Sequence, residues 1–450
     1  MKKYILIILC CLTSFPLWSY NVNMIVEHYS VDQGLPNNTV NCTLKDRDGF
    51  IWFGTWYGLC CFDGVKFKTF NKQEHDSDVP PRKIQRIVED KNGYIWVKTI
   101  DRKLYVFNKV TECFHAVYDD MKNYSENIQV IKLQNTAEGD VLLLTKDKNL
   151  LLAGVDEKGQ VTIKILFDSR DEINKHDYTL KHHVLCETEE YISWIGTDYK
   201  VSAVHKGAEL ASRPADFITS KINSGDKDSF TSFFEDGRKV WVGDRAGIFY
   251  SIDVRTGLVN RYVLSEIKGA ISNLLVTPAG YVYLSVAGQG TYEYDLAERR
   301  LQKINTEMND AMVTHAFIDQ YDKIWFHENE KALIYYDPLN HTAKRFPFTM
   351  FGKITTLYSE DAGERGLFFL SPAGEAWLFD REHAEMVYIN KLKQLSNDRA
   401  NQQFYHLMLD NDGVLWLSSA DEGVYCMNFP KKQFNLLSLS PQSAGQENYT

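Results

Sequence analysis

Asp46-Arg-Asp-Gly-Phe-Ile-Trp-Phe-Gly-Thr55, with Gly58-Leu59 after two further residues, decides the fold because the same phrase returns. It reappears as Asp90-Lys-Asn-Gly-Tyr-Ile-Trp-Val-Lys-Thr99, and again as Asp410-Asn-Asp-Gly-Val-Leu-Trp-Leu-Ser-Ser419 followed by Gly423. Working outward from the tryptophan gives a series of apolar or aromatic anchors: Trp52, Trp96, Leu143, Trp194, Trp241, Tyr283, Trp325, Phe368 and Trp416. Their spacing of 42 to 51 residues is too regular for chance.

Each unit reads the same way locally. An apolar strand such as Val40-Asn-Cys-Thr-Leu44, Ile84-Gln-Arg-Ile-Val88 or Phe404-Tyr-His-Leu-Met-Leu409 precedes the anchor. Asp-x-x-Gly then closes a tight turn in which glycine supplies the positive φ. The anchor strand follows, rich in Ile, Val, Phe and Trp, which suit a pleated, half-buried surface. A third strand, for example Gly290-Thr-Tyr-Glu-Tyr-Asp295, and a more variable outer strand complete the unit. One such sheet cannot cover both its apolar faces, whereas a ring of them does, with the anchors wedged between neighbours. The expectation is therefore an all-β protein, a β-propeller of four-stranded blades. The third, sixth and eighth units replace Trp with Leu143, Tyr283 and Phe368, and the fourth carries Thr188-Glu-Glu-Tyr191 at its turn.

Composition narrows the function. Among 450 residues, 13% are aromatic and the formal charge is −10, or about −12 without Lys2 and Lys3, with no basic stripe to offset it. That disfavours a protein that tracks nucleic-acid phosphates. Lys2-Lys3, the apolar run Tyr4–Leu12 and the stretch Thr13–Ser19 read as a secretory signal over residues 1–19, too short for a membrane span. No later run of 18 apolar residues exists, so the expectation is an exported, periplasmic chain without a membrane span after cleavage. The six cysteines beyond the leader lack paired C-x-x-C spacing, which argues against zinc and for mostly free, buried thiols. No cofactor or metal is implied.

Polar connectors at 71–83, 168–177, 211–228, 306–311 and 395–403 fall between units. Met24–Tyr29 has strand character and is expected to complete the last blade. Residues 431–450 read as a connector to something beyond.

Gly34-Leu-Pro-Asn-Asn-Thr-Val40, leading into Asp46–Thr55 and Gly58-Leu59, resembles the two-component regulator propeller repeat. The signatures around Trp96, Trp325 and Trp416 resemble it as well. The resemblance implies the periplasmic sensor region of a hybrid two-component system of gut-type Bacteroidetes. Such regions detect glycan-derived oligosaccharides and switch on polysaccharide-utilisation genes. It further implies seven-bladed rings. Residues 20–350 would then form a first propeller and 351–430 the start of a second. The family's β-sandwich, membrane helix and kinase have no counterpart in this sequence, so signalling would require a continuation or a partner, either a sensor kinase or a second copy.

No catalytic motif stands out: there is no G-x-S-x-G, no H-E-x-x-H and no phosphate loop. The Asp-x-x-Gly-x-x-Trp order also differs from the sialidase turn. His182-His183 and His315 fall on strands, where adjacent residues face opposite ways. Sugar rings stack on aromatic faces and their hydroxyls need planar polar partners. On that ground Trp56, Tyr57, Tyr199 and Asn329, in related turns, are candidate ligand contacts, with Arg245 adding charge. A protein–protein scaffold without a small ligand, and more remotely a glycan-degrading enzyme, are the alternatives.

Overall fold

A computed structural model of the chain describes residues 25–428, apart from 71–79, 123–128, 147–148, 168–184, 188–189, 196–199, 207–216, 222–229, 305–312, 329–330, 351–357, 362, 364–365, 372–374 and 390–403. The proposed leader and the C-terminal connector lie outside the described residues, as do Tyr199 and Asn329. Among those described, one α-helix of four residues, Tyr118–Met121, interrupts an otherwise β-structured chain.

The strands form nine four-stranded antiparallel sheets. The first contains Val40–Lys45 innermost, then Ile51–Thr55, Gly58–Phe62 and, outermost, Phe67–Phe70. Later sheets repeat this meander. The fourth ends in Phe217–Lys221, so part of the stretch expected to be a connector is an outer strand. The ninth sheet takes Phe404–Leu409, Val414–Ser419 and Val424–Asn428 from the end of the chain and Ile25–Tyr29 from its beginning. In that pairing Ile25 lies opposite Asn428 and Tyr29 opposite Val424.

Apolar clusters join each sheet to the next. Leu142 and Leu150 of the third meet Ile192 of the fourth, whose Tyr191 packs on Val240 and Tyr250 of the fifth. Trp325 of the seventh meets Phe369 and Phe379 of the eighth. Trp416 of the ninth packs among Phe53, Phe62 and Cys60 of the first, and Thr43 Oγ1 lies 2.6 Å from Ser418 Oγ across the same junction. The circuit thus closes between the ninth sheet and the first. That corrects the expected ring of seven ending near residue 350: the closing strand sits in the ninth sheet, and the seventh packs onward to the eighth.

The Asp-to-Trp spacing has a direct cause. Asp46 Oδ1 accepts the backbone N–H groups of Asp48 and Phe50, closing the turn, while Oδ2 accepts the indole N–H of Trp52 at 2.8 Å. The same pair of roles recurs at Asp90/Trp96, Asp236/Trp241, Asp319/Trp325 and Asp410/Trp416, with indole distances from 2.7 to 3.2 Å. A buried indole N–H needs an acceptor. Where the turn residue is Thr136 or Thr277, the anchor is accordingly not a tryptophan, and the threonine hydroxyl caps the turn alone.

Register corrects two anchors. Trp52 lies opposite Leu44, and the equivalent partners are Gln134 with Leu142 in the third sheet and Cys186 with Ser193 in the fourth. Leu143 and Trp194 each stand one residue further on in register, which for Leu143 is the opposite face of the sheet. In agreement, Leu142 joins the cluster toward the fourth sheet and Leu143 the one toward the second.

Equal connectivity places the turns between second and third strands, together with the sheet-to-sheet connections, at one end of the ring. We call this end upper. The Asp-x-x-Gly turns and the turns leading to the outer strands lie at the lower end. Near the upper end a register shift marks the inner strand in seven sheets, as at Val40/Cys42 and Ile84/Arg86. Such bulges redirect side chains. From these inner strands Asn41, Thr231 and Asn273 donate at 2.6 Å to the carbonyls of Ile84, Ile271 and Val313 in the following sheet. Gly54 and Gly243 allow that approach: a Cβ at either would fall within 2.7 Å of the next sheet's Ile84 or Ile271.

Candidate functional site

The upper mouth is held by a backbone belt that alternates between turns and connections. Gly423 N–H donates to Asn38 O at 2.8 Å and Trp56 N–H to Thr39 O at 3.2 Å. Lys83 N–H donates to Trp56 O and Ile100 N–H to Lys83 O, both at 2.9 Å. Val130 to Arg102 at 3.0 Å and Lys146 to Gln129 at 2.8 Å continue it. The main chain of Trp56 is therefore tied on both sides. Thr55 Oγ1 bridges its own turn, donating to Gly58 O and accepting from Tyr57 N–H.

On this fixed backbone the two aromatic candidates remain open: Trp56 is 42% and Tyr57 64% exposed. Lys83, in a left-handed conformation at φ 50°, sets its ammonium 5.4 Å from the centre of the Trp56 ring. Arg245 is exposed in the corresponding turn of the fifth sheet. It shares the upper end with Trp56 and Tyr57 but stands four sheets away, so these residues do not form one compact pocket. Tyr199 and Asn329 lie outside the described residues.

Sequence reasoning missed the inner half of the mouth. Lys98 occupies the position held by Gly54 and Gly243 in other sheets, and its cross-strand partner is Arg86. Lys98 is 6% exposed, and its Nζ donates to Gln85 Oε1 at 2.8 Å and Ile131 O at 2.6 Å. Burial, then Arg102 and Arg86, push its ammonium down to about 8. Arg86 is exposed although it lies on an innermost strand, and its charge also reaches His406 of the ninth sheet. Burial, followed by Arg86, pushes that imidazole down to about 4, and its Nδ1 is buried without a hydrogen-bond partner. The visible signal was the change from Phe-Gly-Thr to Val-Lys-Thr in the second copy of the repeat.

The lower end is built differently. Lys109, one residue beyond the third strand Leu104–Asn108 of the second sheet, bonds Asp46 at 3.0 Å, Asp48 at 2.6 Å and Glu89 at 2.8 Å. Burial would lower its basicity, but these three carboxylates raise it. They are the one described cluster with metal-ligand geometry, and the lysine already fills its centre. Lys206 and Arg381 hold the equivalent position in the fourth and eighth sheets. Lys206 bridges Glu138 and Glu187, while Arg381 bridges Asp319 and Asp361. At the closing junction Lys45 pairs with Asp410 and Asp412. A shallow groove of about 390 Å³ lies here among Tyr321, Lys323, Tyr335, Arg381 and Glu382. Its cations are engaged: Arg381 as above, stacked 4.4 Å over Tyr321, and Lys323 on Asp337. Cys42, Cys60, Cys61, Cys113 and Cys426 are free and buried. Burial raises four of these thiols, Cys42, Cys60, Cys61 and Cys426, to about 12, so they do not act as nucleophiles near neutral pH.

Residues 34–57 match the family model described as two component regulator propeller. That segment carries the first Asp–Trp turn and both upper-rim aromatics. Searched by sequence, no curated protein matches the chain. Among solved structures it is similar to two extracellular domains titled as parts of hybrid two component systems of B. thetaiotaomicron. Each is 15% identical, with TM-scores of 0.37 and 0.32. The alignments cover 89% and 88% of this chain but 65% and 58% of those, so the chain spans less than two thirds of their length. A streptogramin B lyase structure is similar at 11% identity and a TM-score of 0.34, over 90% of this chain and 98% of that one. Among the described residues, no helix is long and apolar enough to cross a membrane.

Proposed function

From a chain that carries a two component regulator propeller repeat, set in a ring of four-stranded sheets, we propose a ligand-sensing region of an extracytoplasmic sensor. It binds glycan-derived oligosaccharides at the upper mouth and, through a continuation of the chain or a partner kinase, controls polysaccharide-utilisation genes. Residues 1–19 would export it. The observation that carries this reading is the pair Trp56 and Tyr57: exposed aromatic faces on a backbone tied to both flanking connections. A sugar's C–H face stacks on such rings with little ordering cost, because the platform is already fixed. Binding rather than catalysis fits the lower-end carboxylates, which are engaged by indoles and cations.

Signalling requires the ligand to favour one arrangement of two sensor regions over another, by its difference in affinity for the two. A docking-surface reading has its own support. Val65, Val110 and Leu339 stand 85% exposed or more in lower-end turns, where a protein partner would cover them. A thermal-shift screen against neutral and acidic oligosaccharides separates the two readings, since a ligand of the folded state raises Tm. A shift that Trp56→Ala abolishes supports sensing. No shift across the panel supports docking.

A further inference from the structure

Arg86 and Lys98 are directly opposed across two paired strands, and Lys98 is buried. Like charges in that arrangement repel, and a buried ammonium is normally matched by a carboxylate. Here Lys98 has only the neutral oxygens of Gln85 and Ile131. Arg102, exposed in the adjoining turn, adds a third positive charge, close enough to act on Lys98. The nearest acid in the turn, Asp101, is occupied by the Thr99 hydroxyl and by Lys103 at 3.4 Å. None of the described ion pairs engages Arg86, Lys98 or Arg102, although the chain as a whole carries ten more acidic than basic side chains.

The neighbours show that the fold does not demand this. The equivalent cross-strand pairs are Cys42 with Gly54, Lys132 with Leu144, Ser232 with Gly243, Asn273 with Ser285, His315 with His327 and His406 with Ser418, and none of these sets lysine or arginine against lysine or arginine. Every cation of the lower-end clasps has its carboxylate. Three cations converging on the upper mouth are therefore left for a charge from outside, on the same end as Trp56 and Lys83.

We infer that Arg86, Lys98 and Arg102 receive an oxyanion, the carboxylate or sulfate group of an acidic saccharide whose adjoining sugar ring lies toward Trp56. This deepens the proposed function and rests on it. An arginine offers a planar fork suited to either oxyanion, and the buried lysine gains charge compensation that water cannot supply there.

The test is calorimetric titration at fixed ionic strength. The probes are a tetragalacturonate, its carboxyl-reduced neutral tetramer and a sulfated galactan tetrasaccharide, applied to wild type, Lys98→Met, Arg86→Gln and Arg102→Gln. The expected result is at least tenfold tighter binding of an acidic probe than of the neutral tetramer, and loss of that preference in Lys98→Met and Arg86→Gln. Whichever acidic probe binds identifies the group. Equal binding of acidic and neutral tetramers, or a preference unchanged in both variants, overturns the anion site and leaves saccharide sensing standing. If no saccharide binds, sodium sulfate is compared with sodium chloride. A rise in Tm specific to sulfate, absent in Arg86→Gln, keeps an anion site and overturns both the saccharide assignment and the sensing reading. No rise overturns all three.

Discussion

The clasps at the lower end of the ring and one cluster at its upper end treat positive charge in opposite ways. At the lower end Lys109, Lys206, Arg381 and Lys45 each sit against two or three carboxylates and tie one sheet to the next. At the upper end Arg86, Lys98 and Arg102 cluster without a described acid partner, and Trp56 and Tyr57 present open rings. The cations of the lower clasps are satisfied internally. The upper cluster keeps charges without a described acid partner, as expected of a surface that recognises something. The contrast holds even at short range in sequence: Trp52 is buried between sheets with its indole N–H bonded, and Trp56, four residues on, faces solvent.

The contrast breaks most visibly at the lower clasp. Asp46→Ala strands a buried indole N–H and removes one carboxylate from Lys109, so it should cost about 3–5 kcal/mol in chemical denaturation. A loss below about 1 kcal/mol would mean that the clasp contributes nothing.

Next comes acid. His406 sits at about 4 when folded against an ordinary 6.5, so the unfolded chain takes up the proton first as pH falls. Its contribution to stability is whole above pH 6.5 and lost progressively down to pH 4, amounting to about 2–3 kcal/mol. His406→Asn should flatten that part of the stability-against-pH curve; an unchanged slope contradicts the assignment.

Smaller and opposite in sign is a matched pair of substitutions. Lys109→Met should lower Tm, whereas Lys98→Met should hold or raise it by roughly a degree or two, because it relieves repulsion. Equal losses in the two would erase the distinction between the ends. Smallest is Trp56→Ala, expected to change stability by no more than about 0.5 kcal/mol because the ring packs against little. A larger loss in calorimetry would make Trp56 part of the core.

Much of this was legible in the sequence, and the reasons are local. Asp46 and Trp52 lie within one hairpin, so their spacing exposes the repeat, and the N-terminal strand carried its own apolar pattern. Strand alternation was less forgiving. In the third sheet a run of four consecutive leucine and valine residues, Val141–Leu144, offers no contrast between faces, so nothing in the pattern separates Leu142, the anchor by register, from Leu143. Sheet number in the closed ring depends on which distant strands pair, Tyr29 with Val424 for instance, and no local spacing encodes that. The site split in the same way. Trp56 and Tyr57 announced themselves as aromatics in a turn. Lys98 and Arg86 looked like ordinary strand charges, because only cross-strand register sets them opposite one another.

Whether a ligand is held at the upper end can be read from hydrogen–deuterium exchange with and without a bound oligosaccharide. Slowed exchange confined to the segments around Thr55–Gly58, Lys83–Arg86 and Lys98–Arg102 is the predicted result. Protection instead at the turns around Asp46–Phe50 and Asp319–Lys323, with the upper mouth unchanged, would contradict it.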